Sequence, residues 1–376
     1  MKVFYVSKEL VRRGASVSWL QFGSEDRRKR VEGIEFVSLR IQVLFGPIRH
    51  LSMIFAILLF CLSSGVNVVY IDEWLMFRSE VFWQLVLRIF LRIAGLRTVF
   101  DLRDPYVDYQ IAYGKLRYGS FKHALLRIQY ALIYRLTDLI VLPSEIYAES
   151  YVHEEGIPPA KVIGIPRGID SDLFNPKVDS QIIKKRLDLY GKFVIGWFGM
   201  MHKYRMVDEV IIPVIRNVRS FIPNAYVLIG GKGELLRSFE DLKAQEPDFP
   251  FTILGLIPYS DLPSYIAACD VLLCPVNPSF RFTRNSVWLK ILESLAVGRP
   301  IVATKTGLAT GDFKDLKAII WTAPNLQSFL EALKEVHENY SHYIALASAQ
   351  ALEFQNYATK LTISRLVDRI EQVARR

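Results

Sequence analysis

Short runs of Val, Ile and Leu alternate with longer amphipathic segments along most of the chain. Continuous apolar runs predict strands buried on both faces, whereas apolar positions three and four residues apart predict helices. The predicted strands are Val66–Ile71, Thr98–Leu102, Leu139–Leu142, Phe193–Phe198, Ala225–Ile229, Phe251–Leu254, Val271–Cys274 and Pro300–Ala303. The predicted helices are Val3–Arg13, Leu51–Leu62, Phe82–Ile93, Phe121–Leu136, Val207–Phe221, Leu262–Ala268 and Val287–Ala296.

A break at Pro166–Pro176 and a linker over Asn175–Gly191 separate two such series. Strands that alternate with helices indicate parallel sheets with helices on both faces. We therefore predict an α/β fold of two Rossmann-like, doubly wound domains, an N-terminal one over 1–180 and a C-terminal one over 190–340. The helical segment 341–376 is expected to cross back to the N-terminal domain. Ligands of such sheets bind beyond the carboxyl ends of the strands, so the residues that follow strands are the candidates for function.

The first domain contains segments that bear on membrane contact. Leu51–Ile71 has no charged residue, but Ser63-Ser64-Gly65 interrupts it, and the apolar part is shorter than the roughly 20 residues that span a bilayer. In Phe82–Ile93, Gln84, Arg88 and Arg92 form one polar stripe, and Lys115–Leu136 mixes apolar with basic residues. Two interpretations stay open: core helices that flank a sheet, or a basic apolar face in the interface of an anionic membrane.

Composition narrows the class of protein. Of the 376 residues, 51% are hydrophobic and 23% charged, which excludes a disordered chain. The N-terminus lacks the apolar core of a signal peptide, and Cys61, Cys269 and Cys274 cannot form a disulfide framework, so a cytoplasmic location is expected. The net charge of +9 predicts an anionic partner. We expect neither nucleic acid nor metal, since the sequence has no aromatic-interleaved basic stripe and no His/Cys/Asp cluster with ligand spacing.

The strongest local motif is Val287–Ala303, which has the pattern of a helix, a glycine turn and a strand. Lys290 and Glu293 are three residues apart and therefore project from the same side of the helix. A carboxylate there can accept hydrogen bonds from both hydroxyls of a ribose, although an ordinary surface ion pair has the same spacing. Three further motifs accompany it: Asp138–Ser144, Gly164–Pro176 and Leu254–Pro275.

In this order and spacing, the motifs from about residue 98 to 310 resemble those of the retaining, family 4-like (group 1) nucleotide-sugar glycosyltransferases. The resemblance implies the GT-B fold, in which two Rossmann-like domains face each other across a cleft. It implies sugar transfer with retention from a UDP- or GDP-linked donor to an acceptor, either lipid-linked or a glycan precursor. It also implies that no separate cofactor is used.

The resemblance assigns the ribose of the donor to Glu293 and its base to the main chain at Gly255 and Ile257. In the family a cation that follows the glycine at the place of Gly199 binds the diphosphate. Met200 stands where that Arg is usual, so Lys203 and Arg205 are the expected substitutes.

Further expected donor contacts lie nearby. Asn285 takes the place of the earlier of two family glutamates and can hydrogen-bond a sugar hydroxyl without carrying charge. Arg281, Arg284 and Lys290 are expected to keep the site cationic. The turn with Thr306 and Gly307 could offer backbone N–H groups to the phosphates or the sugar.

In the first domain, Asp104 follows a predicted strand and is the favoured contact for the transferred sugar or the acceptor, with Arg103 beside it. A role of Asp104 as a helix cap is the structural alternative. The family's opening strand and glycine-rich turn have no counterpart before Val3–Arg13, which predicts either a start assigned too far downstream or a truncated chain. Two alternative functions are a degenerate subunit that binds a partner enzyme and a nucleotide-sugar 2-epimerase.

Overall fold

The computed structural model of the protein describes residues 2–23, 25–40, 47–72, 81–166, 168–309, 311, 313–357 and 360–375. The chain divides into two compact units. Unit 1 consists of Met1–Val107, Leu116–Pro166 and Lys360–Arg376, and unit 2 consists of Asp108–Lys115 and Arg167–Thr359. A short segment from the first half of the sequence is therefore part of unit 2, and the end of the sequence is part of unit 1.

Unit 1 begins with a helix and a small mixed sheet. Helix α1 (Lys2–Arg12) confirms the first predicted helix. Strands β1 (Val17–Gly23), β2 (Arg27–Val31) and β3 (Ile34–Arg40) follow and pair in the order β1-β3-β2. The pairing of β1 with β3 is parallel and that of β2 with β3 is antiparallel.

The second sheet of unit 1 has four parallel strands in the order β4-β5-β6-β7. Its strands and helices confirm the predicted elements in this region. In chain order the elements are α2 (Pro47–Ser63), β4 (Val68–Asp72), α3 (Val81–Ile93), β5 (Arg97–Asp101), α4 (Tyr106–Ala112), α5 (Phe121–Leu136), β6 (Leu139–Leu142), α6 (Glu145–Glu155) and β7 (Val162–Gly164), and α4 runs into the unit 2 segment Asp108–Lys115. Within the described ranges, no helix is both long and apolar enough to cross a membrane.

Helices cover both faces of this sheet. Alternate residues of a strand point to opposite faces, so Phe100 of β5 packs with residues of α2, α3 and α5, whereas Val99 packs with Leu366 of the last helix, α15 (Lys360–Ala374). Arg13 ties α15 to the N-terminal region, because its Nη1 donates to Asp368 Oδ1 at 2.5 Å and its Nη2 to Ser364 Oγ at 2.7 Å.

Two of the three residues in the polar stripe of α3 are buried, whereas Arg92 is exposed. Gln84 and Arg88 are 1% and 0% exposed. The Arg88 guanidinium lies 4.0 Å from the centre of the Phe100 ring, and its Nη1 donates to the Gln84 carbonyl oxygen at 3.0 Å. Arg88 Nε donates to Thr137 Oγ1 at 3.3 Å. These contacts hold the charge inside, so that the apolar side of the helix is left to face outward.

Unit 2 contains a six-stranded parallel sheet in the order β10-β9-β8-β11-β12-β13. Its strands are β8 (Phe193–Met200), β9 (Ala225–Lys232), β10 (Phe251–Gly255), β11 (Val271–Cys274), β12 (Ile301–Thr304) and β13 (Ile319–Thr322). Its helices are α7 (Gln181–Arg186), α8 (Ile212–Asn217), α9 (Leu236–Gln245), α10 (Leu262–Ala267), α11 (Arg281–Asn285), α12 (Leu289–Ala296), α13 (Leu326–Glu338) and α14 (Tyr340–Tyr357).

Two local predictions for unit 2 are wrong. The predicted linker contains helix α7. The predicted single helix over 207–221 is a π-helical turn at Val207–Ile211, then α8, then a 3-10 turn at Val218–Ser220. Pro213, in the first turn of α8, explains the interruption, because proline has no N–H for a hydrogen bond to the preceding turn.

Candidate active site

The strand order of unit 2 reverses direction between β8 and β11. After β8 the chain adds β9 and β10 on one side, and then returns to add β11, β12 and β13 on the other. A crevice forms outside the carboxyl ends of the strands at such a reversal and is the usual ligand site of open parallel sheets. Gly199 in β8 and Cys274 at the end of β11 mark this point.

The backbone comes close together at the end of β8. A Cβ atom on Gly231 would lie 1.8 Å from the Gly199 carbonyl oxygen, and Gly231 has φ +139°. Only glycine fits there, because the backbones of the paired strands β8 and β9 approach each other closely at this point. A Cβ atom on Gly199 would lie 3.7 Å from Lys290 Cε, which places the Lys290 side chain against β8.

Lys290 and Glu293 form the ion pair that their spacing predicts. Lys290 Nζ donates to Glu293 Oε2 at 3.2 Å. The Glu293 side chain is 1% exposed, so this is not a pair on a solvated helix surface. Glu293 Oε1 has no hydrogen bond to any residue that the structure describes, and it is available to a ligand.

Arg205 is the second cation at this point. Its guanidinium lies 4.0 Å from the centre of the Trp288 ring and 5.4 Å from that of Tyr204. Burial raises the pKa of the Cys274 thiol, and the neighbouring positive charges of Arg205 and Lys290 act in the opposite direction. Two cations and the Glu293 carboxylate therefore surround the end of β11.

Four buried polar atoms near this point have no hydrogen-bond partner in the described part of the chain. They are Arg205 Nε, Ser286 Oγ, Trp288 Nε1 and Thr306 Oγ1. Buried donors and hydroxyls are nearly always paired in native proteins, and a ligand is one of the partners that can satisfy them. The two nitrogen atoms act only as donors, so a ligand that pairs them must offer acceptor atoms there.

The other predicted donor contacts lie on neighbouring loops. Asn285 is buried at the end of α11, which packs against the 3-10 turn Gly307–Ala309 after β12. Gly255 ends β10 with φ +66°, and a Cβ atom on Gly230 would lie 2.7 Å from Ile257 Cδ1. Gly199, Gly255, Asn285, Thr306 and Gly307 thus all lie at or after the carboxyl end of the unit 2 sheet.

Lys203 and Arg281, two cations that the sequence places at the donor site, differ in their side-chain partners. Lys203 is exposed at the start of a 3-10 turn, and its side chain makes no hydrogen bond or ion pair with residues that the structure describes. Arg281 was expected to help keep the donor site cationic, and the structure shows it paired with a carboxylate. Arg281 Nε and Nη2 donate to the two carboxylate oxygens of Asp108 at 2.9 and 3.0 Å, so its charge is compensated.

In unit 1, Asp104 is half-buried in the loop after β5. The carboxylates at the ends of the neighbouring strands β4 and β5 are Asp72 and Asp101, and Arg103 pairs with Asp72. Tyr70 OH donates to Asp101 Oδ2 at 2.5 Å, and burial together with the neighbouring carboxylates raises the pKa of Tyr70. The expected availability of Arg103 for a phosphate is therefore reduced by a carboxylate partner.

The sequence patterns do not single out Trp288, Ser286 or the Asp72 carboxylate as functional. Asp72 could have been found, because it directly follows a predicted buried strand. Trp288 and Ser286 gave no such signal, since apolar and small residues before a helix are common. No group of three or more His, Cys, Asp or Glu residues with metal-binding geometry occurs in the described ranges. Arg167 of the Gly164–Pro176 motif lies outside those ranges.

Comparison with known proteins gives matches over both units. Residues 3–173 match the family model for Glycosyltransferase Family 4, and residues 192–339 match that for Glycosyl transferases group 1. One component chain of the phosphatidylinositol N-acetylglucosaminyltransferase of Arabidopsis thaliana is 24% identical over 193 residues, which are 50% of this chain and 40% of that protein. The probable glycosyltransferase WbjE of Pseudomonas aeruginosa is 23% identical over 276 residues, 67% of this chain and 66% of WbjE. The chain thus spans less than two thirds of these relatives.

Solved structures show the same fold. Anabaena HepE in complex with UDP superposes with a TM-score of 0.69 at 17% identity, over 90% of this chain and 86% of HepE. Sucrose-phosphate synthase from Thermosynechococcus elongatus superposes with a TM-score of 0.72 at 15% identity, over 99% of this chain and 92% of the synthase. The predicted α/β class with parallel sheets is confirmed. The chain belongs to the family 4 (group 1) glycosyltransferases and has their GT-B fold.

Proposed function

We propose that the protein is a retaining hexosyltransferase that uses a UDP- or GDP-linked sugar and acts on a lipid-linked acceptor or a precursor of a cell-surface glycan. The observation that carries the proposal is the set of unpaired buried atoms, Arg205 Nε, Ser286 Oγ, Trp288 Nε1 and Thr306 Oγ1, at the reversal point of the unit 2 sheet. An anionic, oxygen-rich ligand such as a sugar nucleotide satisfies such donors.

Each part of the donor has a matching group. Glu293 Oε1 accepts hydrogen bonds from the ribose hydroxyls, and the hydrogen bond from Lys290 to Oε2 orients the carboxylate. Arg205, fixed against Trp288, and the exposed Lys203 bind the diphosphate. The main chain at Gly255 and Ile257 meets the base. The turn at Thr306 and Gly307, with Asn285 beside it, meets the sugar or the phosphates.

Catalysis then rests on position and charge. The bond between the anomeric carbon and the diphosphate oxygen breaks, and the acceptor oxygen bonds to the same face of that carbon. The acceptor proton passes to an oxygen of the leaving diphosphate, whose negative charge Arg205 and Lys203 stabilise. Asp104 contacts the transferred sugar or the acceptor. The step requires neither a protein nucleophile nor a metal.

The proposed acceptor and location follow from a relative. The name of the Arabidopsis relative states that it transfers a sugar to phosphatidylinositol, a membrane lipid. A lipid-linked acceptor would place this protein at the cytoplasmic face of a membrane, as a peripheral protein.

A second candidate function is that of a catalytically inactive subunit that binds a partner enzyme. Two substitutions favour it: Met200, which is half-exposed in β8, stands in place of an Arg, and Asn285 stands in place of a Glu. The two functions differ in turnover, since an inactive subunit would transfer no sugar even if it retained the donor site.

Titration calorimetry with UDP, GDP and their sugar conjugates tests the donor site. In Glu293→Gln we expect a dissociation constant about tenfold to a hundredfold higher than in the wild type, because charge-assisted hydrogen bonds to the ribose are weakened. Glu338→Gln, an exposed carboxylate of α13, serves as the control and should bind normally. Equal affinities of Glu293→Gln and the wild type would reject the ribose-binding role. The anomeric configuration of the product, read by NMR, tests retention.

A further inference from the structure

Helix α2 exposes a continuous apolar stripe. Ile48, Leu51, Phe55, Leu59 and Leu62 recur every three or four residues, so they lie on one side of the helix. All five are exposed, and Leu59 retains 68% of its surface. Scattered exposed apolar residues are ordinary on soluble proteins, but a full stripe along one helix calls for a partner.

Helices α3 and α5 repeat this feature. Phe82, Ile89 and Ile93 are exposed on α3, whereas Arg88 of the same helix is buried. On α5 the exposed side chains include Phe121, Leu125, Ile128 and Leu132, and Phe121 retains 85% of its surface. The inner side of α5 carries His123, Tyr130 and Tyr134. Exposed apolar side chains thus lie beside exposed cations such as Lys122, whereas Arg88 and His123 are buried, and an ordinary surface helix has a polar outward face instead.

The three helices lie next to one another. Helix α3 contacts both α2 and α5, and the rings of Phe55 and Phe90 are 5.9 Å apart across the α2–α3 contact. We call the outward sides of α2, α3 and α5 the three-helix face. Tyr118, exposed just before α5, adds an amphipathic ring to this region.

The charged residues of the three helices are all basic. None of them contains an Asp or a Glu. Arg49, Arg92, Lys122 and Arg135 are exposed and form no ion pair with residues that the structure describes. Their charge is therefore available to an anionic surface.

We propose that the three-helix face docks on an anionic phospholipid bilayer, with its apolar side chains at the boundary of the acyl chains and its cations among the lipid phosphates. The docking surface rests on the proposed function in one respect, since a lipid-linked acceptor gives it a purpose. A second copy of the chain fits the face less well. Two such faces would bring cations together with no carboxylate on these helices to pair them.

Vesicle sedimentation tests the apolar part of the contact. The full-length protein is mixed with vesicles of phosphatidylcholine alone and with an equimolar mixture of phosphatidylcholine and phosphatidylglycerol. We expect binding to the anionic vesicles and at least about a tenfold loss of affinity in the double variant Leu59→Ser/Phe121→Ser. The matched control is Ile182→Ser/Leu352→Ser, which removes two comparably exposed apolar residues from unit 2 and should bind normally.

The charged part is tested on the same vesicles. Each of Arg92→Gln, Lys122→Gln and Arg135→Gln should weaken binding about fivefold, since a basic side chain near an anionic surface contributes roughly that factor. Rising salt should reduce wild-type binding and have less effect on a variant that combines the three substitutions. If the wild type bound both kinds of vesicle equally and salt did not change its binding, the proposed role of the cations would be overturned.

The outcomes separate this inference from the proposed transferase activity. UDP affinity, measured by calorimetry, should be the same in Leu59→Ser/Phe121→Ser as in the wild type, and an unchanged circular dichroism spectrum shows that the variant is folded. Vesicle binding without any nucleotide binding would reject the proposed function and leave the docking face standing. Unchanged vesicle binding in the double variant would overturn the docking face. A wild-type dimer that the same variant dissociates, with no vesicle binding, would assign the face to a second copy instead.

Discussion

Arg88 shows how a single residue determines which side of a helix faces outward. Its guanidinium stacks on Phe100 and donates to Thr137 Oγ1 and the Gln84 carbonyl, all inside unit 1. A buried guanidinium needs such partners, because an uncompensated buried charge is strongly destabilising. With Arg88 directed inward, Ile89 and Ile93 of the same helix are exposed.

Two substitutions of Arg88 should separate what its side-chain volume contributes to stability from what its charge contributes. Arg88→Ala removes a large, fully buried side chain, and we expect the free energy of unfolding to fall by about 2–5 kcal/mol. Arg88→Met retains an unbranched chain of similar length and removes the buried charge, so its loss should be below about 1.5 kcal/mol. Urea unfolding followed by circular dichroism measures both. Equal losses in the two variants would mean that the polar contacts, rather than packing, dominate.

In the candidate site, the sequence predicts contacts between residues that are close together along the chain. Lys290 and Glu293 are three residues apart, so their contact follows from helix geometry alone. The ion pair between Arg281 and Asp108 joins residues 173 positions apart, and no local pattern predicts it. The stacking of Arg205 on Trp288 is of the same long-range kind.

At the element scale, the segment Asp108–Lys115 is held in unit 2 by polar and aromatic contacts. Besides the two hydrogen bonds between Asp108 and Arg281, the Tyr109 ring lies 5.6 Å from that of Phe282. The Tyr113 hydroxyl is 3.4 Å from that of Tyr204, and burial raises the pKa of Tyr113. Helix α11 and the loop after β8, which both carry candidate donor residues, are therefore fixed by this segment.

A double-mutant cycle measures the strength of that attachment. Asp108→Asn leaves the Arg281 guanidinium poorly compensated, and we expect it to lower the free energy of unfolding by about 2–4 kcal/mol. Arg281→Gln should have a similar effect. The double variant should lose less than the sum of the two, with a coupling energy of at least about 1 kcal/mol. Denaturant unfolding provides the values, and additive losses would contradict a direct pairing.

Strands with a simple hydrophobic pattern were predictable from the sequence. Strands β6 and β11 are continuous apolar runs and β5 has the apolar pair Val99-Phe100 at its centre, and the sequence predicted all three within one residue. Strand β2 was missed, because the run Arg27-Arg28-Lys29-Arg30 has no apolar alternation and its strand conformation depends on pairing with β3. Tertiary pairing overrides local preference in such strands.

At the scale of the whole molecule, both ends of the described chain contribute to unit 1. Helix α1 packs against α15, and α15 covers the face of β5 and β6 that carries Val99, Leu139 and Val141. The sequence predicted two series of strands and helices, but it could not show that Asp108–Lys115 belongs to unit 2. Membership of a unit depends on contacts between distant residues, which leave no periodic signal.

The packing of α15 predicts a selective loss of stability. Leu366 is fully buried between α15 and the sheet of unit 1, so Leu366→Ala should leave a cavity and lower the local stability by about 2–5 kcal/mol. Hydrogen exchange measured by mass spectrometry should show faster exchange in β5, β6 and α1. Peptides of unit 2 should exchange at the wild-type rate, because none of the core residues that surround Leu366 belongs to that unit.

The matched control for Leu366→Ala is Leu333→Ala, which removes an equally buried leucine of α13 from the core of unit 2. It should accelerate exchange in β8 and β11 and leave β5 and β6 unchanged. Addition of UDP at about a hundred times its dissociation constant should stabilise the protein by about 2.7 kcal/mol, and its protection should fall on unit 2 peptides in both variants. Faster exchange throughout both units in Leu366→Ala would show instead that α15 stabilises the whole chain as one cooperative body.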